Sequence, residues 1–434
     1  MTLPKILAQS FLWRGLYFFT LLLLNVFVSR YFQAGNAGWI FYLSNLFSFV
    51  LLVASLSAES GMTYYASRND IAAGKLVSFI FLWVILIAAV IFLFFSNVLA
   101  YMPEQSIGRD DFLFFSICYI PGILLTNYFT MLFYVQRNYL LPNLLMSLLN
   151  VALIFIIARQ TPSAGYDPLI LHTYFLYFIA TGISLALAYW LVNRHTLQLA
   201  MLSQREFIKL MRFSLKALLA NVLFFLVYRI DYWFVKNSPS CSSADLGNYI
   251  QASKLGQMLL IIPQIIAAVI FPQTASGAER ATINTSITII SRLFSQAFLL
   301  ILAIVLISGR WLFPFVFGES FQGIYLPFML LLPGIFCLSV LAMLSAYFSG
   351  KGKVNVNVTG AAISLMVVVT GDYLFIPNYG IAAAAIISTL GYATGLAYSL
   401  YCFYKDYKVN LSSFFAWRRS DYGWLAEMID KKKK

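Results

Sequence analysis

The sequence predicts an all-α integral membrane protein with twelve transmembrane helices arranged as two parallel six-helix repeats. Hydrophobic residues make up 61% of the chain and charged residues only 10%, with a mean hydropathy of +0.82. A soluble domain is closer to half apolar and a quarter charged. The apolar runs are continuous for about 20 residues, the length that a helix needs to cross a bilayer. A β-barrel would show short alternating segments instead.

Twelve apolar runs follow one another along the chain. The first, from Ile6 to Val28, is too long for the apolar core of a signal peptide, so we expect it to be a transmembrane helix. The runs predict an N-terminal six-helix bundle over 1–192, a cytoplasmic linker over 193–212, a C-terminal six-helix bundle over 213–404 and a basic cytoplasmic tail over 405–434. The approximate bounds of the runs are 6–29, 38–58, 76–100, 112–135, 139–158, 169–192, 213–236, 246–271, 287–308, 322–348, 355–376 and 381–404.

Basic residues indicate how the runs are oriented. If both termini are cytoplasmic, 21 of the 29 lysines and arginines lie inside, five outside and three within the membrane. Such an asymmetry obeys the positive-inside rule. The net charge of +13 is therefore explained by topology, and we do not expect a nucleic-acid partner.

Two pairs of segments indicate an internal repeat. The stretch from Gly38 to Ser67 has a counterpart of the same length from Gly247 to Ser276. Pro121-Gly122-Ile123 has a counterpart in Pro333-Gly334-Ile335, and each is followed ten positions later by Met-Leu. The offsets of 209 and 212 residues are close to half the chain length. With six runs in each half, both halves enter the membrane from the same side, which is a parallel repeat.

Cationic and polar residues inside the apolar runs are candidates for binding a substrate. Arg14, Arg229 and Lys254 lie within predicted spans, where a charge costs roughly 2.5–3.5 kcal/mol. Helix rise places Arg229 and Lys254 at similar depths, roughly 10 and 13 Å from the ends of their helices. Gln251, Lys254 and Gln257 are spaced by three residues and share one helix face. We favour a cationic lining for an anionic substrate over the alternatives, snorkelling to the interface or a structural ion pair.

Three acids near or within the spans are candidates for coupling transport to an ion. Asp231 lies inside the seventh run, two residues from Arg229, so the two side chains point to different sides of the helix. For Asp231 a coupling role and a structural role are equally supported. For Glu59 and Asp372 we favour an ordinary carboxylate at a helix end or in a loop.

Other classes of site have little support in the sequence. The four cysteines form no CxxC pair and only two histidines occur, so we predict neither a disulfide framework nor a metal site. No Walker A, HExxH or GxSxG motif is present. We therefore predict no catalytic residues and no cofactor. The linker around 196–212 mixes apolar and basic residues; it could contact anionic lipid of the inner leaflet, although we favour a plain positively charged linker.

The chain resembles the polysaccharide (O-antigen, Wzx-type) flippases of the multidrug/oligosaccharidyl-lipid/polysaccharide (MOP) exporter superfamily. The resemblance covers essentially the whole chain, and its pattern in the seventh and eighth runs is Arg229-Ile-Asp231, Gly247-Asn-Tyr249, Lys254 and Phe271-Pro272. It implies a V-shaped bundle similar to that of the MATE transporters. It also implies ion-coupled flipping of an undecaprenyl-diphosphate-linked oligosaccharide across a bacterial inner membrane, for O-antigen or surface polysaccharide synthesis. The partners would be the lipid-linked glycan, membrane lipids and a polysaccharide polymerase.

Two other classes remain open at this stage. A membrane polysaccharide polymerase or ligase would typically have a large external loop, and the predicted external loops here are short. A MATE-like exporter of small amphipathic cations would use an acidic cavity, whereas Arg229 and Lys254 favour an anion.

Overall fold

The computed structural model describes residues 3–68, 70–98, 108–161, 167–275, 280–407, 418 and 421. Over these residues the regular structure is helical throughout. The helices are α1 (Leu3–Ala54), α2 (Ala58–Ser67), α3 (Ala73–Val98), α4 (Arg109–Val135), α5 (Leu140–Ala158), α6 (Pro168–Asn193), α7 (Gln204–Asn237), α8 (Ser243–Leu259), α9 (Ile261–Ala275), α10 (Arg280–Phe317), α11 (Tyr325–Gly350) and α12 (Val354–Tyr407), with a 3-10 helix (Glu319–Ile324) before α11.

Ten helical stretches of the described chain are long and apolar enough to cross a membrane. Two of them, Phe11–Ala54 and Val354–Asp406, contain a residue outside helical geometry: Gln33 has φ 57° and Gly380 has φ 59°. Both interruptions fall between predicted spans, at 30–37 and at 377–380. The all-helical class is confirmed, whereas the count of twelve and the two six-helix repeats stay predictions.

The chain divides into two compact units. Unit 1 comprises Met1–Gln33 and Leu43–Val222, and unit 2 comprises Ala34–Tyr42 and Leu223–Lys434. The segment 34–42 thus belongs to unit 2, although its neighbours on both sides in the chain belong to unit 1. The predicted bundle and linker bounds stay predictions.

In unit 1, α4 and α6 cross with their backbones in close approach. A Cβ atom added at Gly122 would lie 2.4 Å from the backbone carbon of Phe178 in α6, and one added at Gly182 would lie 2.6 Å from the carbonyl oxygen of Gly122. No real Cβ atom tolerates such distances, so only glycine fits at this crossing. On the same two helices, Phe129 of α4 and Phe175 of α6 are fully buried.

Unit 2 has an analogous crossing between α11 and α12. A Cβ atom added at Gly334 would lie 2.8 Å from the Cα atom of Thr389. Gly122 and Gly334, which correspond in the predicted repeat, therefore both mark a close helix crossing in their own unit. For the other predicted correspondence, Ser276 lies outside the described residues.

The predicted span 246–271 is divided between α8 and α9. α8 ends at Leu259 and α9 begins at Ile261, so the helix breaks two residues before Pro263. Pro263 thus lies in the first turn of α9, where its missing N–H would have no intrahelical partner in any case.

Most of the predicted tail lies outside the described residues, but Asp421 is described and buried. Its carboxylate accepts two hydrogen bonds from the guanidinium of Arg292 in α10, at 2.7 Å from Nε and 2.6 Å from Nη2. A bidentate pair of this kind fixes geometry as well as charge.

The predicted orientation can be tested by cysteine labelling in a variant lacking the four native cysteines. Ser240 and Gln204 are both exposed, so a cysteine at either position can react. We expect Ser240→Cys to react with an impermeant thiol reagent added to intact cells, and Gln204→Cys to react only after permeabilisation. Labelling of Gln204→Cys in intact cells would contradict the assignment of the linker to the cytoplasm.

Candidate functional site

Arg229 of α7 lies in a polar chain that links α7 to α8. Its Nη2 atom donates to Oε1 of Gln257 at 3.5 Å, and Nε2 of Gln257 donates to the Ser253 hydroxyl at 3.1 Å. The Tyr232 hydroxyl donates to the same serine at 2.8 Å. The guanidinium also lies 5.3 Å from the ring centroid of Phe225. Arg229 is thus positioned by neighbours on two helices.

Lys254 of α8 lies close to an aromatic ring. Its Nζ atom is 3.3 Å from the ring centroid of Phe41, which belongs to the segment 34–42 of unit 2. A cation over an aromatic face is stabilised by the ring quadrupole. Lys254 and Arg229 are close enough to interact electrostatically, and each lies on a helix of unit 2. The two basic side chains are therefore candidates for binding an anion.

Gln251, the third member of the predicted polar face, lies deeper than the other two. Its side chain is buried, and Oε1 has no hydrogen-bond partner among the described residues. The three positions therefore differ in environment, since Gln257 contacts Arg229 and Lys254 contacts Phe41.

Asp231 is the centre of a buried hydrogen-bond cluster. It is 1% exposed, and its carboxylate accepts from the Tyr232 backbone N–H at 2.9 Å, from the Ser388 hydroxyl at 3.0 Å and from the Tyr249 hydroxyl. Tyr249 lies on α8 and Ser388 on α12, so three helices of unit 2 meet at this carboxylate.

Asp372 of α12 is buried near the same cluster. It is fully buried, and neither carboxylate oxygen has a hydrogen-bond partner among the described residues. Asp372 interacts electrostatically with Asp231, so two buried carboxylates are neighbours. An isolated buried carboxylate is very costly unless a proton or a cation neutralises it. A proton or a small cation bound at Asp372 would remove this cost.

Arg14 and Glu59 line a cavity of about 620 Å³ in unit 1. The Arg14 guanidinium lies 5.5 Å from the ring centroid of Tyr134. Most of the remaining lining consists of hydroxyl and amide side chains together with aromatic rings: Tyr17, Phe18, Thr63, Ser67, Thr126, Asn127, Thr130, Tyr134 and Asn143. Such a surface offers many hydrogen-bond donors and acceptors with a near balance of charge.

The structure thus places the predicted residues in three groups. Unit 2 holds the cations Arg229 and Lys254 with Gln257, and it holds the acids Asp231 and Asp372. Unit 1 holds Arg14 with Glu59. We had favoured an ordinary role for Asp372, but its burial without a partner marks it as a candidate for function.

Two residues that contact these groups, Phe41 and Ser388, were missed in the sequence. Each is an ordinary aromatic or hydroxyl residue in an apolar run, and no local pattern distinguishes it. Ser388 is 157 residues from Asp231 along the chain. Tyr249 was named only in the Gly247-Asn-Tyr249 pattern of the family resemblance, which gave no indication that its hydroxyl contacts Asp231.

No family model matches the sequence, and no curated protein matches it either. The structure is nevertheless similar to solved transporters of the MOP superfamily. It matches a multidrug resistance MATE family transporter in its inward-facing conformation with a TM-score of 0.68 and 13% identity, over 93% of this chain and 95% of that chain.

Two further solved transporters have structures similar to that of this chain. The Vibrio cholerae MATE transporter VcmN in its bent form gives a TM-score of 0.61 and 16% identity, covering 95% of this chain and 99% of that chain. A MOP superfamily transporter from Pyrococcus furiosus gives a TM-score of 0.62 and 13% identity, covering 92% of this chain and 94% of that chain. That transporter is described as having a binding pocket of reversed polarity that suggests a different function. The chain therefore has the MATE fold, while the flippase subtype is not confirmed.

Proposed function

We propose that the protein is an ion-coupled flippase for an undecaprenyl-diphosphate-linked oligosaccharide, working by alternating access in a bacterial inner membrane with both termini in the cytoplasm. Its fold is that of MATE transporters. The observation that carries the choice of substrate is the pair of neighbouring cations, Arg229 and Lys254. A binding region for drug cations would be expected to avoid such a pair.

The polar cavity of unit 1 supports a glycan as part of the substrate. Sugars present many hydroxyl groups and apolar ring faces, which match hydroxyl, amide and aromatic side chains. Arg14 supplies a planar guanidinium, which suits phosphate oxygens. In this proposal the diphosphate meets Arg229 and Lys254, and Gln251 and Gln257 supply further hydrogen bonds. Arg14 is a further candidate for a phosphate contact during transport, and the cavity that it lines takes the sugar. The prenyl chain stays in the surrounding lipid, and a polymerase receives the product.

The carboxylates of unit 2 support coupling to a proton or sodium gradient. Asp231 and Asp372 together would take up the ion on one side of the membrane and release it on the other. Glu59 is the remaining candidate, since it lines the cavity of unit 1.

A second candidate function is the export of small amphipathic cations. It is favoured by the structural neighbours that are multidrug transporters and by the buried acids Asp231 and Asp372. Under this alternative, cells would expel a lipophilic cation such as ethidium, and Asp231→Asn would abolish the efflux. No observation favours a polymerase or a ligase.

We expect Arg229→Ala and Lys254→Ala each to lower the affinity for the glycolipid about ten- to a hundredfold, because a charge-assisted phosphate contact contributes on the order of 1.5–3 kcal/mol. Glycan export would fall in a cell that makes the lipid-linked glycan, while the amount of inserted protein stays normal. Arg229→Lys should recover only part of the export, since lysine lacks the planar fork.

Lys236→Ala is the matched control. Lys236 is an exposed lysine in the last turn of the same helix as Arg229, so its loss should leave export unchanged. The double variant Arg229→Ala/Asp231→Ala tests whether Arg229 only balances Asp231, and glycolipid affinity is measured beside export because Asp231 is itself a coupling candidate. Restored export in that variant would mean that Arg229 serves only to balance Asp231, and would refute its role in binding substrate.

A further inference from the structure

The first turns of α7 carry a stripe of basic side chains. Arg205, Lys209, Arg212 and Lys216 are spaced by four, three and four residues, so they lie on one helix face. All four are exposed. None of them takes part in a salt bridge within the described residues. We call these four residues the basic stripe.

Apolar side chains lie directly beside the basic stripe. Ile208, Leu215 and Leu219 are large, exposed and spaced by seven and four residues, so they form a neighbouring face of the same helix. A helix with adjacent basic and apolar faces is typical of a segment at the boundary between lipid headgroups and acyl chains.

An apolar groove of about 500 Å³ lies next to the start of α7. One wall is α3, where Phe79 stacks on Trp83 at a centroid distance of 5.4 Å. Phe207 of α7 meets Phe79 edge to face at 6.2 Å. The remaining lining residues are Leu82, Leu86, Met201, Leu202 and Gln204. Leu82, Leu86 and Met201 are more than half exposed, so the groove opens on the outer surface of α3.

Close contacts hold the wall of the groove in place. A Cβ atom added at Gly74 would lie 1.9 Å from the Gln198 carbonyl oxygen, so the linker backbone lies directly against the start of α3. Ser203 and Glu206 cap α7 reciprocally: the Ser203 N–H and hydroxyl each donate to Glu206 at 2.8 Å, and the Glu206 N–H donates to the Ser203 hydroxyl at 3.3 Å. Lys75 of α3 binds the same carboxylate at 2.8 Å. The groove is therefore preformed.

We propose that this surface binds an anionic glycerophospholipid, with its phosphate on the basic stripe and one acyl chain in the apolar groove. Charge complementarity selects this occupant, because four cations lie at the boundary of an apolar surface. Each such residue contributes about 1 kcal/mol toward an anionic membrane surface. The surface shares no lining residue with the cavity around Arg14 and Glu59, so the inference does not depend on the proposed substrate.

The test uses the purified full chain in detergent, with lipid binding measured by native mass spectrometry. Dioleoyl phosphatidylglycerol should bind more tightly than dioleoyl phosphatidylcholine, which has the same chains. Lys209→Gln/Arg212→Gln should weaken phosphatidylglycerol binding about 30-fold, at about fivefold for each charge. The matched variant Lys209→Arg/Arg212→Lys keeps both charges and should bind normally.

A second readout locates the acyl chain. Phosphatidylglycerol brominated on its acyl chains should quench the fluorescence of Trp83, measured as the difference between the wild type and Trp83→Phe. Equal binding of the two lipids, unchanged binding by Lys209→Gln/Arg212→Gln, or absence of Trp83 quenching would each overturn the proposal. Displacement of phosphatidylglycerol by an equimolar amount of undecaprenyl phosphate would also overturn it, because the surface would then be a substrate site.

Discussion

Asp372→Leu is expected to stabilise the protein and to abolish ion-driven transport. Asp372 is fully buried, with both carboxylate oxygens unpartnered among the described residues. A buried polar group without a partner costs about 1–3 kcal/mol. Leucine, which branches at the same position, removes that cost, so the free energy of unfolding should rise by about the same amount. The thermal unfolding midpoint in detergent measures the gain.

The matched variant is Asp231→Leu, which should lower the free energy of unfolding. The Asp231 carboxylate accepts bonds from Tyr232, Tyr249 and Ser388. Its removal leaves those donors buried without an acceptor, at a cost of about 1–3 kcal/mol. Both variants should lose gradient-driven glycan export if the two acids share the coupling ion. Full export by Asp372→Leu would remove Asp372 from the coupling site.

The contrast between the two acids shows which feature of their surroundings the sequence could not predict. Both appear as single carboxylates at or near apolar runs. Their difference lies in partners contributed by other helices, Tyr249 on α8 and Ser388 on α12. Such partners leave no periodic or spacing signal, because the distance along the chain between Asp231 and Ser388 is set by the topology.

The sequence predicted more of the fold than of the carboxylate cluster. Run length predicted the helical class because crossing a bilayer imposes a minimum apolar length. The repeat glycines were predicted only to correspond between the two halves, and the structure places both Gly122 and Gly334 at a close helix crossing in their own unit. The assignment of the segment 34–42 to unit 2 was not predictable, because no residue pattern in it indicates which helices it packs against.

The other repeat pair, Gly38 and Gly247, makes direct contact within unit 2. A Cβ atom added at Gly38 would lie 2.5 Å from the Gly247 backbone nitrogen. One added at Gly247 would lie 2.0 Å from the Ala34 carbonyl oxygen and 3.2 Å from the Gly38 Cα atom. The Ala34 N–H in turn donates to the Ser320 hydroxyl at 3.0 Å. The segment 34–42 is therefore held against α8 at backbone distance.

Gly247→Ala should consequently destabilise the protein by about 1–3 kcal/mol, the usual cost of adding a methyl group to a packed site. The matched control is Gly360→Ala in α12, where the nearest neighbour of the added Cβ atom is a Tyr398 side-chain atom at 3.4 Å. Helix propensity alone should make that variant about 0.5–1 kcal/mol more stable. Thermal unfolding of both variants gives the comparison.

Gly247→Ala should also impair substrate binding, because the displaced segment carries Phe41. Its ring centroid lies 3.3 Å from Lys254 Nζ, so an outward shift of the segment removes the aromatic face from the lysine. Glycolipid affinity should then fall in Gly247→Ala and stay normal in Gly360→Ala. If the two alanine variants have equal stability and equal affinity, the segment is not held at this spacing, and Lys254 is positioned by α8 alone.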